Sequence, residues 1–272
     1  VDGRGSLSGD RYTAATLARY VPDGTLDPTF GSGGIVQIRR PSLSMGRMAP
    51  GPEGTILAAV TEGYSRGPGH PASTLGVARF TSTGVFDRSF GQGGVALGAF
   101  DRNTAGSAIA LQSDGRIVVA GTYVTVCCVQ RQRFAVARFN ADGTADSSFS
   151  HDGWTTTLFP RCLPPEAEGP SVIGTSVAVQ PNGRIVVGGY LYDNQGGCGP
   201  GDADTEVALV RYQPWGARDK KFGRDGRVVT ATYDGAYCFD LAVLPTYRIL
   251  VVGIGSQNAH TGGMLLAQYL AT

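Results

Sequence analysis

A chain of 272 residues with 42% apolar and 17% charged residues can bury a sizeable core, which excludes an intrinsically disordered protein. A formal net charge of +1 lacks the concentrated positive field that phosphate backbones require, so we expect no nucleic-acid partner. The most apolar run, residues 249–254, is far shorter than a bilayer span, so we expect no membrane span. The 41 glycines and 15 prolines break long helices and favour many short strands.

A short apolar segment at residues 17–20 is the first copy of a motif that returns about every sixty residues. Its copies are Leu17-Ala18-Arg19-Tyr20, Val77-Ala78-Arg79-Phe80, Val136-Ala137-Arg138-Phe139, Leu209-Val210-Arg211-Tyr212 and Leu266-Ala267-Gln268-Tyr269. The motif is apolar on both sides of a strand, which predicts burial on both faces. The first four copies lead into a turn with fixed spacing: Gly24, Asp27, Phe30 and Gly34; Gly84, Asp87, Phe90 and Gly94; Gly143, Asp146, Phe149 and Gly153; Gly216, Asp219, Phe222 and Gly226.

A second strand pair in each repeat is split by a tight turn. Asp114-Gly115 is such a turn, because Gly115 can take the positive φ that hairpins require. Asn182-Gly183 and Glu53-Gly54 occupy the same place, whereas the last repeat departs with Thr246-Tyr247. Each repeat therefore has four strands: one beginning near Gly34 or its equivalent, two around the tight turn, and the recurring motif. Four-stranded sheets stacked around an axis bury both faces, so we predict an all-β protein, a β-propeller of four-stranded antiparallel blades.

The first residues predict that the chain starts within a blade. Asp2-Gly3-Arg4 followed by Gly9 repeats the spacing of Asp114-Gly115-Arg116 followed by Gly121. We therefore expect one propeller domain over 1–272, with half a blade at 1–20 and complete repeats at 21–80, 81–139, 140–212 and 213–272. We also expect that the natural precursor extends upstream of Val1, and that the full protein has five or more blades.

The segment from Phe134 to Phe149 is similar, almost residue for residue, to the repeat of the bacterial delta-60 repeat proteins, which are mostly secreted. The resemblance covers nearly the whole chain outside its variable loops. It implies a propeller-like fold. The family carries no established general activity, so the resemblance implies no catalytic residue.

The repeat predicts two unlike faces. The tight turns and the Gly-Asp-Phe-Gly links leave one face, and the irregular loops leave the other, near residues 39–46, 64–73, 122–133, 159–174, 190–204, 231–237 and 255–263. Variable loops on a rigid scaffold are where binding usually occurs, so we expect any glycan or protein ligand there. The candidate ligand-binding residues are Arg39, Arg40, Arg131, Arg133, Tyr190, Tyr192, Tyr233 and His260. The arginines could form a positive rim together with Arg47, although ordinary solubility also explains them.

All five cysteines lie in or beside the variable loops, at Cys127, Cys128, Cys162, Cys198 and Cys238. Their spacing does not fit metal ligation, so we predict disulfides and an extracellular location. Cys162 and Cys198 fall in two insertions of the longest repeat that leave the same face, which predicts a bond between them. A weaker prediction pairs Cys238 with Cys127 or Cys128, and a strained bond between Cys127 and Cys128 is the alternative.

No stretch of the sequence matches a catalytic, nucleotide or metal motif. The alternating acids Asp202, Asp204 and Glu206 are weak candidates for a cation site, with a solvated loop as the default. The repeated turn aspartates lack the spacing of a calcium loop and are expected to accept hydrogen bonds from turn amides. We therefore expect no cofactor and a secreted or cell-surface scaffold or binding module without enzyme activity. The alternative is a propeller enzyme, a hydrolase or lyase acting on extracellular glycans.

Overall fold

The computed structural model describes residues 14–65, 71–100, 103–125, 132–159, 171–192, 205–231, 235–258 and 261–270. Within these ranges the regular secondary structure is almost entirely strand, and its one helical piece is a 3-10 turn at Pro52–Gly54. The strands are β1 (Ala14–Ala18), β2 (Ile35–Arg39), β3 (Leu43–Pro50), β4 (Ile56–Ser65), β5 (Pro71–Phe80), β6 (Val95–Leu97), β7 (Asn103–Leu111), β8 (Ile117–Val124), β9 (Gln132–Phe139), β10 (Trp154–Thr157), β11 (Ser171–Val179), β12 (Ile185–Tyr192), β13 (Thr205–Tyr212), β14 (Arg227–Thr230), β15 (Ala236–Val243), β16 (Ile249–Asn258) and β17 (Thr261–Tyr269).

These strands form five antiparallel sheets, which are the blades. Three blades have four strands each: blade 1 is β3-β4-β5-β6, blade 2 is β7-β8-β9-β10 and blade 3 is β11-β12-β13-β14. Among the described residues, β1 and β2 form a two-stranded blade 0, and β15, β16 and β17 form a three-stranded blade 4. The prediction of an all-β propeller with four-stranded antiparallel blades is confirmed.

The blades are shifted by one strand relative to the expected repeats. The strand after each link pairs backwards with the Ala-Arg-aromatic strand: β6 pairs with β5, and β2 pairs with β1. The reason is that the link is a compact reversal, in which the Arg79 amide donates to Gly94 O and the Asp87 amide donates to Arg79 O, both at 2.9 Å. The expected grouping of one strand near Gly34 with the three strands that follow it is therefore wrong. The half blade expected at 1–20 takes its outer strand, β2, from beyond residue 20.

The two unlike faces follow directly from this topology. The tight turns at 51–55, 112–116, 180–184 and 244–248, together with the links, leave one end of the blades, which we call the regular face. The segments that join the second to the third strand, and those that cross from one blade to the next, leave the opposite end, the variable face. Segments expected to join two strands of one blade, such as 39–46, are these crossings between blades.

Blades pack closely because their innermost strands carry glycine where the neighbouring backbone approaches. A Cβ on Gly106 of β7 would lie 2.5 Å from Val60 O of blade 1, and a Cβ on Gly174 of β11 would lie 2.4 Å from Gly121 O of blade 2. The four inner strands β3, β7, β11 and β15 each carry a β-bulge at the matching position. From these bulges, Arg47 of β3 reaches Asp240 of β15 at 2.5 Å, so the inner strands of blades 1 and 4 meet.

Candidate functional site

The recurring arginine forms a structural clamp with the aspartate and phenylalanine of the link that follows it. In blade 2, Arg138 Nε lies 2.7 Å from Asp146 Oδ2, and the guanidinium stands over the Phe149 ring with its Cζ 4.8 Å from the centroid. The same clamp is built by Arg19, Asp27 and Phe30, by Arg79, Asp87 and Phe90, and by Arg211, Asp219 and Phe222. The most regular residues of the sequence are therefore explained by packing.

The clamps of Arg19, Arg79 and Arg138 also reach the next repeat. Arg79 Nη1 donates to Ala141 O at 2.7 Å, while Arg19 and Arg138 donate to Ser82 O and Pro214 O in the same way. The other carboxylate oxygen accepts hydrogen bonds within the turn: Asp87 Oδ1 accepts from the Ser89 amide at 3.0 Å and from its hydroxyl at 2.6 Å. The expectation that these aspartates hydrogen-bond turn amides is confirmed.

Hydrogen bonding keeps the clamp aspartates Asp87 and Asp146 ionised. Burial by itself raises the pKa of Asp146, but the hydrogen bonds from Ser148 and the charge of Arg138 outweigh burial and leave this pKa below its ordinary value. The pKa of Asp87 is likewise lowered, chiefly by the Ser89 hydroxyl. An ionised, fully bonded carboxylate holds a turn in place and is unsuited to general-acid catalysis.

The structure brings two of the predicted ligand-binding residues together on the variable face. Tyr190 and Tyr192, at the end of β12, have ring centroids 6.5 Å apart, and Tyr237 of β15 packs edge-on against Tyr190 at 4.8 Å. Tyr190 and Tyr192 are half-buried, and Tyr237 is 39% exposed. We call these three residues the tyrosine cluster. It spans the boundary between blades 3 and 4.

Tyr190 occupies a position that has a packing role in the preceding blades. There the residue is a threonine: Thr61 Oγ1 accepts a hydrogen bond from the Gly106 amide at 2.9 Å, and Thr122 Oγ1 accepts one from the Gly174 amide at 3.2 Å. Both bonds join adjacent blades. In blade 3 the threonine is replaced by Tyr190, whose ring packs against Tyr237 instead. Departures from the pattern of a repeat occur mostly at functional positions. Burial and the neighbouring tyrosines raise the pKa of Tyr190, so its hydroxyl remains a hydrogen-bond donor at neutral pH.

The structure does not assemble the expected positive rim from its described arginines. Arg40 Nε is 2.6 Å from Glu62 Oε1, and Arg39 Nη2 donates to Gln37 at 3.3 Å. Arg133 lies on β9 and is half-buried, with its Nε buried and without a hydrogen bond. Arg131, Tyr233 and His260 lie outside the described residues. Of these described arginines, Arg40 is thus paired with a carboxylate, whereas the partner of Arg39 is a neutral amide.

The weak cation candidate is only partly described. Glu206 is 7% exposed on β13, while Asp202 and Asp204 lie outside the described residues. Within the described ranges, no group of three or more histidine, cysteine or acidic side chains is placed to hold a metal ion. The same part of the chain contains no helix long and apolar enough to cross a membrane.

Cys238 is a free thiol with no exposed surface, between blades 3 and 4. Its Sγ lies 3.8 Å from Ser176 Oγ, and burial raises the pKa of the thiol to about 11. This thiol is therefore protonated and unreactive at neutral pH. Cys127, Cys128, Cys162 and Cys198 lie outside the described residues. A bond between Cys162 and Cys198 stays a prediction, and the weaker pairing of Cys238 is not formed here.

A family model described as "Domain of unknown function (DUF5122) beta-propeller" matches residues 3–30, 112–149 and 180–222. Each matched segment contains one whole clamp, ending at Phe30, Phe149 and Phe222. The match supports a β-propeller repeat, and the delta-60 resemblance stays a prediction. No curated protein matches the sequence.

Several solved structures are similar in outline. A protein of unknown function from Dyadobacter fermentans is 10% identical with a TM-score of 0.46, and the match covers 93% of this chain and 58% of that one. An endo-arabinanase from Bacillus licheniformis is 13% identical with a TM-score of 0.39, covering 81% and 71% of the two chains. A glucose dehydrogenase is 11% identical with a TM-score of 0.42, covering 96% and 92%. The chain thus spans 58% of the first of these proteins, and we infer no activity from scores of this size.

Proposed function

We propose that this protein is a secreted or cell-surface binding module without enzyme activity, which holds an extracellular glycan at the tyrosine cluster. The observation that carries the proposal is the meeting of Tyr190, Tyr192 and Tyr237 on the variable face, with centroid distances of 4.8 and 6.5 Å. Tyrosine presents an apolar ring and a hydroxyl on a side chain with few rotamers, so a ligand orders it at low entropic cost.

The chemistry of the surrounding surface favours a neutral sugar. Sugars offer C–H surfaces that stack on aromatic rings and hydroxyls that both donate and accept hydrogen bonds. Arg40 and Arg47, which could attract an anion, are paired with Glu62 and Asp240. Around these two ion pairs, a neutral polyhydroxylated ligand therefore fits better than an acidic one.

Binding is favoured over glycan hydrolysis by the state of the carboxylates. A glycosidase needs a carboxylic acid whose pKa is raised, close to a second carboxylate. Every aspartate in the described residues with a resolved pKa shift is shifted downwards, as with Asp87, Asp146 and Asp225. These carboxylates are held as anions by hydrogen bonds.

We propose an extracellular location because of the predicted disulfide bond. A bond between Cys162 and Cys198 would persist only in an oxidising compartment. Peptide mapping without reductant tests it: a linked peptide pair is expected, and alkylated thiols at both positions would remove the support for secretion. The buried Cys238 serves as the internal reference, because it should react only after unfolding.

The binding proposal is tested on a glycan array, followed by calorimetric titration of the glycans that bind. Tyr237→Ala should lower the affinity for at least one of these glycans about tenfold, because the loss of the aromatic contact costs roughly 1.4 kcal/mol of binding free energy. Tyr20→Ala is the matched control, because Tyr20 is 64% exposed on the link of blade 0, at the regular face. An array without any bound glycan, or equal affinities for both variants, would contradict the proposal. Capture of a protein ligand through Tyr237 would also contradict its glycan part.

A further inference from the structure

The cleft between blades 2 and 3 opens on the regular face, opposite the tyrosine cluster. It has a volume of about 650 Å³ and lies between the turns at 112–116 and 180–184 and the link that carries Trp215. Trp215 is 59% exposed at this cleft. An exposed indole beside a cleft is unusual, because tryptophan is among the side chains that gain most from burial.

The position of Trp215 is one at which the repeat itself uses a different residue. In two other links it is aspartate: Asp23 Oδ1 accepts from the Thr25 amide at 2.9 Å and hydroxyl at 2.7 Å, and Asp142 does the same with Thr144. In this link both partners are replaced, giving Trp215 and Ala217. The turn keeps its backbone, since the Gly216 amide donates to Gln213 O at 2.9 Å and Gly216 has a φ of 92°. The turn has lost the side-chain hydrogen bonds of the other links and has gained an exposed aromatic ring.

The backbone around Trp215 is fixed to blade 2. The Ser150 amide donates to Trp215 O at 2.9 Å, and the buried Arg138 donates to Pro214 O. A rigid support lowers the entropy lost when a ligand stacks on the ring. The backbone that carries the indole is therefore held in place at the cleft.

The rest of the cleft carries both donors and acceptors with balanced charge. Asp114 and Arg116 form an exposed pair at 2.6 Å on its wall, and Arg116 Nε also lies 3.0 Å from Asp146 Oδ2. Gln112 and Gln180 line the cleft as well, and the Oε1 atom of Gln180 is buried without a hydrogen bond. A flat apolar ring beside mixed polar groups without excess charge matches a sugar, which has apolar faces and hydroxyl edges.

We propose that this cleft is a second carbohydrate site, in which a neutral sugar ring stacks on Trp215 and its hydroxyls bond to Asp114 and Arg116. The site is independent of the tyrosine cluster and lies on the opposite face. With both sites occupied, one molecule bridges two glycan chains. The regular face, expected from the sequence to carry only structural turns, then takes part in binding.

Intrinsic fluorescence tests the site, because the chain has two tryptophans and Trp215, 59% exposed, is the more accessible of them. Trp154 is half-buried and packs on Phe100 at 4.6 Å. The protein is titrated with short cello-, manno-, galacto- and arabino-oligosaccharides while emission and iodide quenching are followed. At least one of these sugars should change the emission and reduce quenching by iodide. If iodide quenches the emission equally with and without sugar, at saturating concentrations of every sugar, the proposal is overturned.

The decisive variant is the double substitution Trp215→Asp with Ala217→Thr. It restores the pair found at Asp142 and Thr144, so it should fold at least as stably as the wild type. Affinity for the sugar that changes the emission, measured by calorimetry, should fall about tenfold or more. Tyr20→Ala, which lies outside both proposed sites and is 64% exposed, should leave the affinity for that sugar unchanged. Unchanged affinity in the double variant, or an equal loss in Tyr20→Ala, would refute the second site.

Discussion

Arg138 and Asp146 are eight residues apart in sequence and form a buried ion pair at 2.7 Å, with exposed fractions of 4% and 6% for their side chains. The corresponding pair of Arg19 and Asp27 has almost the same length, 2.8 Å, but is 34% and 17% exposed. The repeat thus contains the same interaction in two environments. The difference between them gives the first prediction.

Arg138→Met should destabilise the protein by about 3 kcal/mol, because Asp146 loses its buried partner and keeps only the more exposed Arg116. Arg19→Met should cost clearly less, because water solvates Asp27 in place of the arginine. Urea denaturation at neutral pH measures both. Equal losses in the two variants would mean that burial does not control the strength of the clamp.

The lowered pKa of Asp146 predicts a specific dependence on pH. Its contribution to stability is present above the ordinary aspartate pKa of about 4 and is lost as pH falls through the lower folded value. Ser148→Ala removes the hydroxyl that bonds Oδ1 at 2.6 Å, and it should raise the folded pKa. The gap in unfolding free energy between wild type and variant, of about 1 kcal/mol, should be largest near pH 7 and shrink below about pH 4. Ser113→Ala, an exposed serine outside this network, should show a gap that does not vary with pH.

Close packing of the blades predicts unequal costs for adding a methyl group. Gly174→Ala places a Cβ 2.4 Å from the Gly121 carbonyl oxygen, so blades 2 and 3 must separate, at a cost of about 1–3 kcal/mol. Gly255→Ala meets nothing closer than 3.7 Å and should change stability by less than about 0.5 kcal/mol. Thermal unfolding of the two variants provides the comparison. An unchanged thermal stability in Gly174→Ala would show that the two blades can separate slightly at little cost.

The face of blade 4 that carries Leu266 should tolerate a polar substitution that the equivalent position of blade 3 does not. Leu209 of β13 has no exposed surface, but its equivalent Leu266 of β17 is 74% exposed. Leu209→Ser should cost about 3 kcal/mol or more, whereas Leu266→Ser should cost less than about 0.5 kcal/mol. Denaturation together with sedimentation velocity checks both. A large loss or a change of oligomeric state in Leu266→Ser would mean that another surface covers this face in solution.

Much of the fold was predictable because the repeat marks its own turns. Gly115 and Gly183 take positive φ values of 84° and 80° at the tight turns, as their sequence context predicts. Blade composition was not predictable, because the spacing from Arg79 to Asp87 does not show that the link folds back onto its own strand. The pairing of Arg138 with Asp146 was missed for the same reason, although their constant separation in four copies was the available signal.

The candidate sites were predictable only in part. Tyr190 and Tyr192 follow from their place at the end of a strand that enters a variable loop, but their contact with Tyr237 depends on how two blades pack. Trp215 was missed because it lies on the regular face. The signal was present as a tryptophan where two other repeats have Asp23 and Asp142.

Three clamps reach forward to the link of the following repeat, from Arg19 to Ser82, from Arg79 to Ala141 and from Arg138 to Pro214. The stabilities of adjacent blades are therefore coupled in a fixed order, as in a linear array with nearest-neighbour interactions. In blade 4 the clamp arginine is replaced by Gln268, so blade 4 lacks this clamp. Unfolding should start there, and amide hydrogen exchange in the native state should show protection that rises from β17 toward β9.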